Sequence, residues 1–240
     1  PNADNWPEFG AGNATSGSAI DLSRAASIES LTITQGWNIN TDVTDGNIGT
    51  DGGDLSVVGI RNGVTTRLEG GFSDNLYLHY GRDQGTSITL ELNLGDTGAG
   101  EDGNGRPFNL WVAQNTNTLN LVSEGDENWI EDGWFGGNLR NLNISGEGAL
   151  HIQGNLDESF VDSRPATIDA SENTGGVDLT LSGHGNDQSD VVELLGSDAG
   201  DSFTAQNNQS VRIVGGDGDN VFNTDGTVVC DGRAGQSEQA

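Results

Sequence analysis

The chain has 240 residues, including 38 glycines, 4 prolines and 1 cysteine, and its formal net charge is −28. This charge repels nucleic-acid phosphates and anionic membranes, so neither is an expected partner. A single cysteine allows no internal disulfide, and without a run of about 18 apolar residues no transmembrane helix is expected. We expect high salt or divalent cations to neutralise the carboxylates, which indicates a secreted, extracellular protein at a cell surface.

The N-terminal segment, residues 1–26, is weakly patterned and predicted to be irregular. From residue 27 apolar and polar residues alternate, as they do in half-buried strands. This pattern predicts strands within ten segments: 28–35, 54–60, 75–80, 87–94, 108–113, 118–123, 139–145, 149–154, 177–183 and 210–216. Gly, Asp and Asn fill the intervals and favour tight turns. Residues 27–137 are therefore a β-rich part that could be continuous with the second half of the chain.

The second half of the chain looks like a series of coils, each a strand that ends in a Gly/Asp turn. We predict a β-solenoid over residues 138–228 and a flexible tail over residues 229–240. The expected fold class is all-β, a parallel β-solenoid of the β-helix or β-roll kind, with a narrow apolar column inside. A sandwich or barrel is the alternative for the same strand pattern.

Three turns in the second half approach the calcium-loop pattern G-G-x-G-x-D-x-U-x, where U is a large apolar residue. The turn from Gly215 has all three glycines and Phe222 as its apolar residue, with Asn220 at the acidic position. The turn from Gly196 places Asp201 sixth and Phe203 eighth, and the turn at 182–190 is more degenerate. The acidic positions of the three turns are therefore Asp187, Asp201 and Asn220.

The chemistry of these residues favours calcium over other metals. Calcium takes six to eight oxygen ligands and tolerates irregular geometry, so neighbouring turns can share an ion. Zinc and copper prefer His or Cys ligands, which show no suitable spacing here. The alternative is that the turns are polar β-turns without metal.

The run from LRNLNISGEGALHIQG through ATIDASENTGGVDLTLSG and VVELLGSDAGDSFTA to IVGGDGDN resembles the calcium-dependent β-solenoid region of bacterial surface-layer (S-layer) proteins. It is also similar to repeat-in-toxin (RTX) proteins. The resemblance covers residues 138–226 and implies a secreted structural protein in which calcium drives folding and lateral assembly with neighbouring subunits. The metal ligands that it implies by position are Asp187, Asp201, Asp217, Asp219 and Asn220, and Asp190 and Asp198 of the same turns complete the predicted set. We therefore expect an acidic structural module of a surface layer or similar assembly, without catalysis.

An extracellular β-helix enzyme acting on polysaccharide is the catalytic alternative, because acidic pairs are frequent. Arg82 and Asp83, close in sequence to His79 and Tyr80, would be its candidate residues. The plainer interpretation of these four residues is a strand end followed by a turn.

An adhesin or glycan-binding module is the other alternative, because the chain has many large aromatic residues. The segment ENWIEDGWFGG, residues 127–137, is predicted to be a Gly-rich acidic loop that carries Trp129, Trp134 and Phe135. Exposed aromatic rings there, with Trp37 and Trp111 elsewhere, could stack on sugars or dock on a neighbouring subunit. The preferred interpretation is that they cap the apolar column between two halves of the fold.

Overall fold

The computed structural model describes residues 18–25, 27–34, 55–61, 63–70, 74–80, 87–94, 108–112, 116–136, 138–156, 159–160, 165–181, 191–206, 211–224, 228–231 and 238–239. Within these ranges the protein is almost entirely β-strand, arranged in three all-parallel sheets that we call A, B and C. This confirms the predicted all-β, parallel, solenoid-like fold. The described part of the chain contains no helix that is long and apolar enough to cross a membrane.

Sheet A has five strands, in the spatial order β1 (Ser18–Asp21), β3 (Leu55–Ile60), β5 (Asp74–Tyr80), β7 (Phe108–Val112) and β10 (Asp132–Trp134). Sheet B has nine strands, in the order β19 (Val228–Asp231), β17 (Val211–Val214), β15 (Val192–Leu195), β13 (Ala166–Asn173), β11 (Asn141–Gly146), β8 (Thr118–Ser123), β6 (Ser87–Asn93), β4 (Thr65–Glu69) and β2 (Ser30–Thr34). Sheet C has six strands, in the order β20 (Glu238–Gln239), β18 (Val221–Thr224), β16 (Ser202–Ala205), β14 (Val177–Thr180), β12 (Ala149–Asn155) and β9 (Glu127–Ile130).

The chain visits the sheets in a regular alternation that builds the solenoid-like stack. From β1 to β8 it alternates between sheets A and B, and from β11 to β20 between sheets B and C. Between these two halves, β9 starts sheet C and β10 ends sheet A. Sheet B therefore runs without a break across the boundary between the predicted parts 27–137 and 138–228. Strand β1 lies within the predicted irregular segment, and β19 and β20 reach into the predicted tail.

A column of aliphatic side chains runs along the inner face of sheet B. Its members are paired in register from strand to strand and are each at most 3% exposed: Ile88, Leu119, Leu142, Ile168, Leu194 and Ile213. Burying such a side chain contributes roughly 1.5–3 kcal/mol relative to leaving it in water. The period-two pattern of the sequence thus becomes one continuous core, because parallel pairing in register places each coil's inward residues on those of the next.

All ten segments predicted from the alternation contain a strand. Strands β9 and β10 were not predicted, and the expectation of a loop over 127–137 is wrong. The alternation is hidden there because two inward positions carry Asn128 and Gly133 instead of apolar residues. A similar substitution hides β4, where Thr66 is fully buried and shares a 2.9 Å hydrogen bond with the Tyr80 hydroxyl.

Candidate metal centre in the stacked turns

The turns that lead from sheet B to sheet C lie on top of one another in the second half of the protein. The turn at 196–201 joins β15 to β16, and the turn at 215–220 joins β17 to β18. Behind them Phe203 and Phe222 are paired in register, each 1% exposed, with ring centroids 6.3 Å apart. These two residues are the apolar positions of the calcium-loop pattern, and they insert into the interior as the pattern predicts.

Asp201 is buried inside its turn and accepts three hydrogen bonds. Its side chain is 2% exposed. Oδ2 accepts from the Ser197 amide at 2.7 Å, and Oδ1 accepts from the Ser197 hydroxyl at 2.8 Å and the Val177 amide at 3.0 Å. The Val177 amide belongs to the preceding coil, so this carboxylate closes its own turn and also ties it to the coil before.

Asn220 holds the corresponding place one coil later. It is 3% exposed, and its Oδ1 accepts from the Asp201 amide at 3.0 Å. Its Nδ2 donates to the carbonyl oxygens of Asp217 at 3.3 Å and Gly218 at 3.4 Å. The side-chain amide therefore satisfies two turn carbonyls of the kind that a calcium loop directs at its ion.

Two further asparagines act in the same way in earlier coils. Asn128 is fully buried and accepts from the Leu94 amide at 2.7 Å. Asn173, which is 1% exposed, accepts from the Gly176 amide at 2.8 Å and donates to the Gly148 carbonyl at 3.0 Å. Each of these side chains reaches the coil before its own.

We call Asn128, Asn173, Asp201 and Asn220 the turn ladder. All four satisfy buried backbone groups, which would otherwise carry a desolvation cost. The sequence analysis missed Asn128 and Asn173, because an asparagine beside a Gly-rich turn is common in this chain. The signal that could have found Asn128 is an Asn at a position where the alternation requires an inward side chain. Asn173 is out of phase with the inward positions of β13, so no local period marks it.

The remaining predicted ligands lie on the outside of the turns. Asp198, Asp217 and Asp219 are exposed. Asp198 and Asp217 occupy equivalent positions of adjacent coils, because each lies three residues before its turn-ladder residue. Asp187 and Asp190 lie outside the described residues.

The described residues thus fit a bound cation in part. Asp201 and Asn220 are engaged in hydrogen bonds, and within the ranges described no group of three or more His, Cys, Asp or Glu side chains is arranged to hold a metal ion. The exposed carboxylates of Asp198, Asp217 and Asp219 have the oxygen chemistry that calcium prefers. Two equivalent carboxylates on consecutive coils also repel each other, and a divalent cation would relieve this repulsion.

The burial of Asp201 leads to a pH dependence. Burial raises the pKa of this carboxyl above its ordinary value of 3.8, and nearby Asp198 raises it further, while the bonds from Ser197 and Val177 oppose the rise. A raised folded-state pKa stabilises the protein fully below pH 3.8, and this contribution is lost as the pH rises through the folded pKa. The quantity to compare is the free energy of unfolding of the wild type minus that of Asp201→Asn. We expect this difference to fall as the pH rises from 3.8 through the folded-state pKa of Asp201, and to stay constant at higher pH. Denaturant titrations followed by circular dichroism at a series of pH values measure this difference, and a constant difference would contradict it.

The residues proposed for a polysaccharide-acting enzyme do not come together where they are described. Tyr80 is 6% exposed and faces the core, where burial raises the pKa of its hydroxyl. His79 precedes it on β5 and faces the opposite side of the sheet, and burial lowers its pKa. Arg82 and Asp83 lie outside the described residues.

A groove of about 550 Å³ lies at the ends of β6, β8 and β11, where the chain leaves sheet B, and is lined by Asn93, Val122, Glu124, Gly125, Gly146 and Glu147. Its Glu124 Oε2 is 2.8 Å from Arg67 Nη2. The same guanidinium contacts Glu69 at 2.6 Å and Glu91 at 3.2 Å. Glu124 therefore belongs to an ion-pair network that joins neighbouring strands of sheet B.

The aromatic residues of 127–137 separate onto different sheets. Phe135 is fully buried. Trp129 lies on the outer face of sheet C against His151, with ring centroids 3.9 Å apart and planes at 10°. His151 Nε2 is 3.0 Å from Glu127 Oε1, and its Nδ1 is 3.8 Å from Asp178 Oδ2. Trp134 lies on sheet A, and Trp37 lies outside the described residues.

Comparison of the chain with protein-family models, curated proteins and solved structures finds no match. The likeness to surface-layer and RTX proteins therefore rests on the residues of the chain alone.

Proposed function

We propose that this chain is a rigid, non-catalytic structural module of a secreted cell-surface assembly, such as a bacterial surface layer, and that calcium stabilises it. The observation that carries the proposal is the unbroken nine-stranded sheet B, whose successive coils are joined by in-register turns with outward carboxylates. A stack of this kind suits a load-bearing element that packs against neighbouring subunits.

In this proposal the turn ladder stabilises the turns and the exposed acids bind the cation. Asp201 and Asn220 fold the turns through hydrogen bonds, so the backbone conformation does not depend on a metal. Asp198, Asp217 and Asp219 hold the cation at the outer surface. Bound calcium would supply positive charge between consecutive coils, which offsets part of the −28 net charge.

The experiment is a thermal melt followed by circular dichroism in EDTA, in millimolar calcium and in millimolar magnesium. We expect calcium to raise the melting temperature and magnesium to have a smaller effect, since Mg²⁺ demands stricter octahedral geometry. Free calcium at a hundred times its dissociation constant would raise the free energy of unfolding by about 2.7 kcal/mol for one site.

The double variant Asp198→Asn/Asp217→Asn should lose most of the calcium effect. Glu131→Gln is the matched control, because it removes one exposed carboxylate away from the turns. Identical melting temperatures in EDTA and calcium would refute the calcium part of the proposal. Lateral assembly is tested separately by electron microscopy of the concentrated protein with calcium, where ordered sheets or filaments are the expected product.

A further inference from the structure

The outer face of sheet B carries two parallel rows of uncharged polar side chains that cross the strands in register. Each residue pairs with the member of its row on the neighbouring strand. One row consists of Ser87, Thr118, Asn141 and Thr167, and the other of Ser30, Thr65, Thr89, Asn120 and Asn143. We call these nine residues the polar array. It lies on the outside because the residues between the two rows, such as Ile88 and Leu142, are buried.

The polar array is accessible and keeps free hydrogen-bonding groups. All nine residues are at least partly exposed. Asn141 and Asn143 donate through Nδ2 to the next member of their row, at 3.3 Å and 2.8 Å. Within the part of the chain that the structure describes, their Oδ1 atoms accept no hydrogen bond, and the hydroxyls of Thr65 and Thr167 form none. The array therefore offers both acceptors and donors to a partner.

The charged side chains of this face surround the polar array and do not interrupt it. On one side, Glu69 and Glu91 share the guanidinium of Arg67. At the C-terminal end, Asp169 and Glu193 continue the two rows. An uncharged centre with a charged margin is typical of a protein–protein interface, whose core is depleted of charged residues.

The other two outer faces lack this combination of exposure and neutrality. On sheet A, Ser56 is 3% exposed and Trp111 Nε1 is buried, so that face is covered at these positions. On sheet C, the side chains of Glu127 and Asp178 are 40% and 48% exposed, so that face presents carboxylates to the solvent. The polar array is therefore an open, uncharged surface in a chain whose net charge is −28.

We propose that a second copy of this chain packs on the polar array, so that the outer faces of two B sheets meet. This inference rests on the assembly role proposed above and names its contact surface. Two copies of the same negative charge repel each other, so they approach most favourably where both faces are uncharged. Hydroxyl and amide groups both donate and accept hydrogen bonds, so the array can bind its own copy across a twofold axis.

The size of the polar array makes this a weak contact. Nine positions spaced about 4.8 Å between strands and about 6.6 Å along them cover roughly 300 Å² of each copy, less than the roughly 800 Å² per partner of a standard stable interface. Weak contacts are enough in an extended assembly, where each copy is held by several neighbours. We therefore expect reversible association that depends on the protein concentration.

The test is sedimentation velocity of the full chain over a series of protein concentrations, in EDTA and about 1 M NaCl. Salt at this level shortens the Debye length to about 3 Å, so it screens the charge without calcium and the result is independent of the calcium proposal. We expect the sedimentation coefficient of the wild type to rise with concentration. Asn141→Asp should weaken the association at least about tenfold, because it places a carboxylate on both sides of the contact. Asn223→Asp is the matched control, because it adds the same charge to an exposed asparagine of sheet C, and it should associate like the wild type.

Ser87→Asp is a second charged variant of the same row and should act like Asn141→Asp. Circular dichroism establishes that each variant is folded. Equal association of the wild type and both array variants would overturn this inference and leave the assembly role to another face. An equal loss in Asn223→Asp would also overturn it. A wild type that stays monomeric at every concentration would overturn both the inference and the assembly role.

A neutral glycan is the other occupant that suits an uncharged array of hydroxyls and amides. The same variants are therefore run in native gels that contain hydroxyethylcellulose, a neutral polysaccharide. Retardation of the wild type that is lost in Asn141→Asp, without self-association, would show that a glycan binds the polar array instead and would overturn the inference.

Discussion

Replacing Asp201 with alanine is expected to lower the free energy of unfolding by about 3–5 kcal/mol. The substitution leaves three donors without their acceptor, the Val177 amide and the amide and hydroxyl of Ser197, and each buried donor costs about 1–3 kcal/mol when it is left unsatisfied. Asp201→Asn should cost less, because asparagine fills the position in register with Asp201 in two other coils, as Asn128 and Asn220.

The measurement requires a probe of the second half of the protein. All five tryptophans lie at or before residue 134, so tryptophan fluorescence would report mainly on the first half. Circular dichroism and amide hydrogen exchange in denaturant, both in EDTA, follow the coils around the substitution. Asp198→Ala is the control, since an exposed side chain should change stability by no more than about 0.5 kcal/mol. Equal effects of the two alanine substitutions would show that Asp201 does not support the turn.

Replacing Gly216 with alanine is expected to have a comparable effect through a different cause. Gly216 has a φ of 70°, and an added Cβ would overlap the carbonyl oxygen of Ser197 in the coil before. The left-handed backbone costs a non-glycine residue about 1–2 kcal/mol, and overpacking against a neighbouring backbone adds about 1–3 kcal/mol.

Gly63 supplies a control that separates these two causes. Its φ is 81°, and an added Cβ would meet no heavy atom within 4 Å. Gly63→Ala should therefore show only the backbone cost. If the two alanine variants unfold at the same denaturant concentration, the close approach of consecutive turns does not limit stability.

The ten segments predicted from the alternation of the sequence contain ten of the twenty described strands, and the same pattern led to the parallel solenoid-like class. A half-buried strand needs an apolar residue at every second position, so that these side chains face the core. This pattern can be recognised within a single short segment of the sequence. The inward placement of Phe203 and Phe222 was predictable for the same reason. Strand β9 escaped prediction because its inward residue, Asn128, is held by the Leu94 amide of an earlier coil, which no local pattern records.

The location of each acid in the turns, buried or exposed, was decided by the tertiary structure. Asp198 and Asp201 are the same residue type three positions apart, and the sequence pattern makes both of them metal ligands. Asp201 is buried because its partners, the Val177 amide and the Asn220 side chain, lie 24 and 19 residues away and are brought to it by coil stacking.

The alignment of three aromatic residues on sheet A has the same origin. Tyr77, Trp111 and Trp134 are far apart in the chain, and only the register of β5, β7 and β10 aligns them on one face. The sequence by itself determined which residues can alternate between inside and outside. The stacking of coils decided which polar and aromatic side chains meet, because those contacts join residues that local periodicity cannot relate.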